Sequence, residues 1–171
     1  MRIYLLRHAI AEARDPRRYP ADSDRPLTRE GKRKMALAAR GMSAADARFD
    51  VIMTSPLTRA RQTARIVLPA FRPHPSLHVL KPLSPGGGAG GVFAALTSLP
   101  VDASILLVGH EPDLSHLAGA MLLEQRSDLP MEFKKGGLCR IDFEGVARPG
   151  HGRLVFHLTP RVLRRLAARS A

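Results

Sequence analysis

The segment Ser104-Ile105-Leu106-Leu107-Val108 is apolar at every position after its serine and shows no alternation of polar with apolar residues. A strand of that kind is stable only where both faces are covered, as in the middle of a parallel sheet with helices on either side. The rest of the 171-residue chain fits around such a strand. Residues 2–7 (RIYLLR) and 49–54 (FDVIMT) read as two more buried strands, and 77–80 as a fourth. Thr28, with Gly31 close behind, opens a helix whose apolar positions are Met35, Leu37, Ala38 and Met42. Ser55-Pro56 is expected to cap and start a helix running to about Leu68. Short helices are expected at 92–99 and 112–123, strands at 137–143 and 153–158, and a basic helix at 160–169. The run Ser84-Pro85-Gly86-Gly87-Gly88-Ala89-Gly90-Gly91 reads as loop, and so does the polar stretch from Ala9 to Pro26. Strands alternating with helices predict an α/β fold, a three-layer α/β/α sandwich with a mostly parallel sheet, in one domain spanning 1–171.

Composition narrows the function classes. Hydrophobic residues make up 44% and charged residues 25%, the profile of a folded globular chain. No apolar run reaches the ~18 residues that cross a bilayer, and the apolar stretch before Arg7-His8 is too short for a signal-peptide core. A single cysteine, Cys139, forbids an internal disulfide, so a reducing, cytoplasmic setting is expected and Cys139 reads as packed rather than reactive. The net charge of +12 attracts polyanions. Nucleic acid is not the expected partner, because the basic residues are spread along the chain and six Phe, two Tyr and no Trp offer no stacking platform among them. An anionic substrate or an acidic protein partner asks for less. The oligomeric state is not readable.

Sites in open α/β sheets form at the carboxyl ends of strands. Arg7-His8 ends the first strand, Gly109-His110 ends the 104–108 strand, and Arg59 lies one turn into the helix after the second. All three positions fall at one predicted edge of the sheet. Neutral imidazole, with an ordinary pKa of ~6.5, is a nucleophile at physiological pH. It can accept a phosphoryl group when its other ring nitrogen is held by a hydrogen bond. Arginine forks at 7 and 59 could grip phosphate oxygens, and His110 could steady the charge that develops on them. No metal and no cofactor is required.

The strings L-L-R-H-A-I-A at 5–11, R-P-L-T-R-E-G at 25–31, T-S-P-L-T-R-A-R-Q-T-A at 54–64 and V-G-H-E-P-D-L at 108–114 occur in this order. Together they resemble the histidine phosphatase superfamily, whose fold is phosphoglycerate mutase-like. The short chain and the R-H-x-x-A opening look most like its SixA-type phosphohistidine phosphatase branch. The resemblance implies that His8 is the phosphoryl acceptor, with Arg7, Arg59 and His110 completing a metal-independent phosphate pocket. Two departures stand out. Ala9 replaces a frequent glycine after the first histidine, and Lys81–Gly86 lacks the Glu that many members place there as proton donor. A general acid is then either supplied from elsewhere, with Glu111 and Asp113 as candidates, or not needed. The second possibility suits a labile phosphoramidate such as phosphohistidine.

The expected substrate is therefore a phosphohistidine on a signalling or phosphotransfer protein. A small phosphorylated metabolite is the nearer rival, a mutase a weaker one, and a non-catalytic phosphate-binding or interaction module the rival of another class. Asp24, just before R-P-L-T, is expected to orient a loop or an arginine, and Lys134-Lys135 reads as solvated. His74 and His78 have a helical ligand spacing, but the prolines at 73 and 75 exclude a helix there.

Overall fold

The computed structural model describes residues 1–124 and 130–169. The strands are β1 (Arg2–Arg7), β2 (Val51–Thr54), β3 (Ser76–Val79), β4 (Ser104–Gly109), β5 (Leu138–Asp142) and β6 (Arg153–Leu158). They form one sheet in the order β3-β2-β4-β1-β5-β6. The pairs β3–β2, β2–β4 and β4–β1 are parallel, and β5 is antiparallel to both of its neighbours. The fully apolar segment lies where its composition demands. All six residues of β4 are buried, between β2 and β1.

Five helices cover the sheet: α1 (Arg29–Ala44), α2 (Thr58–Val67), α3 (Ala89–Leu96), α4 (Asp113–Leu122) and α5 (Pro160–Arg169). Side chains of a strand alternate between faces, and here they feed two separate cores. Ile3, Leu5, Ile105 and Leu107 pack with Val92, Phe93 and Leu96 of α3 and with Leu114, Leu117 and Met121 of α4. Tyr4, Leu6, Leu106 and Val108 pack with Met35 and Met42 of α1, Ala64 and Val67 of α2, and Leu163 of α5. The result is the α/β/α sandwich, with α1, α2 and α5 on one face and α3 and α4 on the other.

Several local expectations are corrected. The hydroxyl of Thr28 does cap α1, accepting from the Gly31 N–H at 2.9 Å. Leu37, expected on the apolar face, is instead exposed. The helix expected at Ser55-Pro56 begins at Thr58 with Leu57 at its cap, and it ends at Val67. The Ser55 amide still belongs to the sheet, donating to the Val108 carbonyl at 3.0 Å, and Ser55–Leu57 carry the chain from β2 into the helix. The Gly-rich run is not loop throughout, since its last three residues form the first turn of α3. That helix ends at Leu96 rather than Leu99. Burial of Val92, Phe93 and Leu96 outweighs the poor helix propensity of Gly90 and Gly91. Strand β3 sits one residue earlier than its apolar pattern suggests.

Helices α1 and α5 touch most closely at Gly41, where an added Cβ would collide with the Leu163 carbonyl. Replacing a helical glycine by alanine ordinarily stabilises by up to ~1 kcal/mol. Gly41→Ala is expected to do the opposite, costing about 1–3 kcal/mol in urea unfolding, because two backbones must separate. A stabilised variant would show that α5 yields there at no cost.

Candidate active site

Three backbone hydrogen bonds beyond the regular ladders place the site. The His8 N–H donates to the Gly109 carbonyl at 3.0 Å, the Ser55 N–H to Val108 at 3.0 Å, and the Arg7 N–H to Gly137 at 3.2 Å. Strands β2, β4 and β1 therefore end in step, and His8, Ser55 and His110 leave the sheet side by side. Arg59 enters from the first turn of α2. The structure brings together all four residues singled out in the sequence. The rings of His8 and His110 lie 5.1 Å apart between centroids, and Arg7 and Arg59 are both close enough to His8 to act on its protonation.

His8 is buried, with its Nδ1 2.7 Å from the Ala9 carbonyl oxygen. A carbonyl only accepts, so the ring proton sits on Nδ1 and Nε2 carries a free lone pair. Burial pushes the His8 pKa down to about 4, with the Ala9 hydrogen bond opposing and the charges of Arg59, Arg7 and Lys135 reinforcing the drop. His110 is held lower still, at about 3, by burial and then by His8 and Arg59. Its Nε2 lies 2.8 Å from the Ser55 hydroxyl oxygen, and that oxygen accepts from the Leu57 N–H at 3.3 Å.

The two arginines are anchored from behind. One terminal nitrogen of Arg7 donates to the Phe133 carbonyl at 2.5 Å. Arg59, only 4% exposed, donates through Nη1 to the Asp22 carbonyl at 2.9 Å and pairs with the Asp22 carboxylate at 3.0 Å. The same carboxylate accepts from Arg25 Nε at 2.9 Å, which holds its pKa below the ordinary range. Among the described residues, three buried side-chain nitrogens have no hydrogen-bond partner: Arg7 Nε, Arg59 Nε and His110 Nδ1. Buried N–H groups are costly without an acceptor. The guanidinium N–H groups of Arg7 and Arg59, together with His110 Nδ1–H in the tautomer whose Nε2 accepts from the Ser55 hydroxyl, are donors that the several oxygens of a tetrahedral oxyanion can satisfy.

Other residues enter or leave the site on this geometry. Asp24, expected to orient a loop or an arginine, accepts among the described residues from the hydroxyl of its neighbour Ser23 at 3.3 Å, and it is Asp22 that holds Arg59. Both aspartates sit in one short 3-10 turn, and spacing alone does not choose between them. Ser55 and Thr63 were also missed. Thr63 accepts from the Ala9 N–H at 3.0 Å and donates to the Arg59 carbonyl at 2.7 Å, tying the segment after His8 to α2. Its place one turn after Arg59 on the same helical face was a usable signal. Gln62 accepts from the Leu27 N–H at 2.8 Å and pins the R-P-L-T segment to α2.

The two carboxylates considered as proton donors make their hydrogen bonds elsewhere. Glu111 accepts from the Phe133 N–H at 2.9 Å and from the Ser115 hydroxyl at 2.7 Å, holding the segment that anchors Arg7. Asp113 accepts from the Gly86 N–H at 2.9 Å. Lys134 is exposed and pairs with Glu132 at 2.7 Å. Cys139 is buried in the sheet with its thiol pushed up to about 12 by burial, which leaves it inert as a nucleophile.

Two predictions follow from this wiring. Both buried histidines should remain neutral, and show no imidazole titration by NMR, between pH 8 and pH 6. Between the ordinary value of 6.5 and about 4, the unfolded chain binds protons that folded His8 refuses. Stability is therefore expected to fall as pH falls through that window. A His8 midpoint near 6.5 would contradict the burial argument. Asp22→Ala is expected to lower turnover efficiency by ~10- to 100-fold through misplacement of Arg59. Unchanged kinetics would show that Arg59 is held without it.

Residues 3–81 match the profile of the histidine phosphatase superfamily (branch 1). An uncharacterized protein of Picosynechococcus sp. is 38% identical over 160 residues, covering 92% of this chain and 90% of that protein. The phosphohistidine phosphatase SixA of Escherichia coli is 27% identical, with 94% of each chain covered. A solved structure of the protein histidine phosphatase SixA complexed with tungstate superposes with a TM-score of 0.82 at 26% identity, covering 95% of this chain and 99% of that one. With His8 and His110 side by side, Arg7 and Arg59 close enough to act on His8, and a relative of 38% identity along nearly the whole chain, the chain belongs to the histidine phosphatase superfamily.

Proposed function

We propose that this chain is a metal-independent phosphatase that passes through phosphohistidine at His8, and that its substrate is phosphohistidine on a protein. The observation that carries the reading is the Nδ1–Ala9 hydrogen bond, which leaves Nε2 as a buried, neutral nucleophile at physiological pH. In the first step the Nε2 lone pair attacks phosphorus while the bond from phosphorus to the substrate nitrogen breaks. The departing nitrogen takes a proton from solvent water. Arg7, Arg59 and His110 hold the phosphoryl oxygens, and their fixed donors stabilise the charge as it spreads over them. In the second step water attacks phosphorus, the P–Nε2 bond breaks, and inorganic phosphate leaves with His8 restored.

Three things support the substrate class. Residues 81–86 contain no carboxylate to protonate a poor leaving group, and phosphoramidates need less help than alkyl esters. Glu111 and Asp113 are engaged with backbone amides and a serine. A protein of similar length and 27% identity is named phosphohistidine phosphatase SixA, and a solved SixA structure holds tungstate, a tetrahedral oxyanion like phosphate.

Brief incubation with a phosphoramidate donor should add one acid-labile phosphoryl group to the wild-type chain and none to His8→Ala, as read by intact mass. Turnover of phosphohistidine protein should fall by at least ~10³-fold in that variant, the scale seen when a covalent nucleophile is removed. Turnover that survives the substitution would sink the covalent mechanism. A wild type active only on small phosphate esters would move the substrate to the metabolite class.

A further inference from the structure

Next to the phosphate pocket the surface opens into a second groove of about 170 Å³. Four separate pieces of chain build it: Ala9-Ile10 just after His8, the first turns of α1, the Lys135-Gly136 turn ahead of β5, and the start of α5. Its floor is small and apolar, with Met35, Ala38 and Pro160 among the residues that line it. Gly31 forms part of that floor and sits so close to Ile10 that an added Cβ would strike the Ile10 carbonyl. The groove is therefore set by backbone contact rather than by loosely placed side chains.

The rim is cationic. Lys34 comes from α1, Lys135 from the turn and Arg164 from α5, and no carboxylate lines the groove. Lys34 has a partner in Glu30 at 2.5 Å along the outer face of α1. Among the described residues neither Lys135 nor Arg164 has an ion-pair partner. Ala9 and Ile10, which follow His8 directly, line the groove, so it lies beside the catalytic pocket, and the charge of Lys135 acts on His8.

We infer that this groove docks carboxylate side chains flanking the phosphorylated residue of an acidic protein substrate. The inference rests on the phosphatase reading above and names the partner that reading leaves open. The groove differs from the phosphate pocket in a way that selects the ligand. None of the buried, unpartnered nitrogens belongs to a residue of the groove, so it is not built to strip and bind a second phosphate. Its three cations stand on three separate elements around an apolar floor, an arrangement that suits an extended segment carrying spaced carboxylates. No aromatic residue lines it, which removes the stacking surface that single-stranded nucleic acid uses. The net charge of +12 supplies the long-range attraction for such a partner.

The test uses two synthetic phosphohistidine peptides, one flanked by Asp and Glu and the other by Asn and Gln, with inorganic phosphoramidate as the small control. Wild type is compared with the double variant Lys34→Gln/Arg164→Gln, with circular dichroism confirming the fold. At ~50 mM salt, where surface charges are weakly screened, wild type should favour the acidic peptide by about tenfold in kcat/KM. In the double variant that ratio should drop below about threefold, while phosphoramidate turnover stays within about twofold of wild type. Equal turnover of the two peptides, or a preference that the double variant leaves intact, overturns the docking site while phosphoramidate hydrolysis upholds the phosphatase reading. If wild type hydrolyses neither peptide nor phosphoramidate, the phosphatase reading itself falls. If free phosphoserine loses as much as the acidic peptide in the double variant, the groove serves compact carboxylated donors and the protein-docking inference is overturned.

Discussion

The parallel pairing of β1 with β4, extended one residue past the strands by the His8 N–H bond to Gly109, is the constraint on which the rest depends. It sets two histidines from distant parts of the chain at one level, at the edge where the sheet stops and helix ends begin. The pairing itself is secured by burial. Ile3, Leu5, Ile105 and Leu107 load one face, and Tyr4, Leu6, Leu106 and Val108 load the other. A slip of one residue would exchange those two sets and separate His8 from His110. Core packing and chemistry are thus specified by the same register.

The electrostatics follow from that placement. Two arginines and two imidazoles lie close together, and burial keeps both imidazoles neutral. Neutrality serves a nucleophile, because a protonated His8 would have no lone pair to offer. The guanidinium of Arg59 cannot escape in the same way, since arginine keeps its proton. Its charge is balanced by Asp22, which is itself shared with Arg25. The loop from Ala9 to Pro26 is therefore more than a connection: it carries the counter-charge for a helix on the far side of the pocket.

Much of this was legible in the residues. The unalternating strand at Ser104–Val108, the Thr28 cap and the strand ends at His8 and His110 were visible because each rests on a local rule with one outcome. The fold class followed from the order of elements. What stayed hidden depended on contacts across the chain. Ser55 looked like a helix cap because its local sequence favours one, yet its amide is taken by Val108 and its hydroxyl meets His110. Asp22 and Asp24 were indistinguishable until the 3-10 turn oriented one of them toward Arg59. The glycines at 90 and 91 read as loop because propensity is local, whereas the core that claims Val92 and Phe93 is not.

Thr63 joins the Ala9 amide to the Arg59 carbonyl through a single hydroxyl. This couples the segment that follows His8, whose Ala9 and Ile10 also line the cationic groove, to the helix that carries Arg59. A change on the groove side that shifts Ala9 therefore bears directly on the placement of Arg59. One buried threonine makes a wall of the recognition surface and an arm of the charge clamp into neighbours on a single joint.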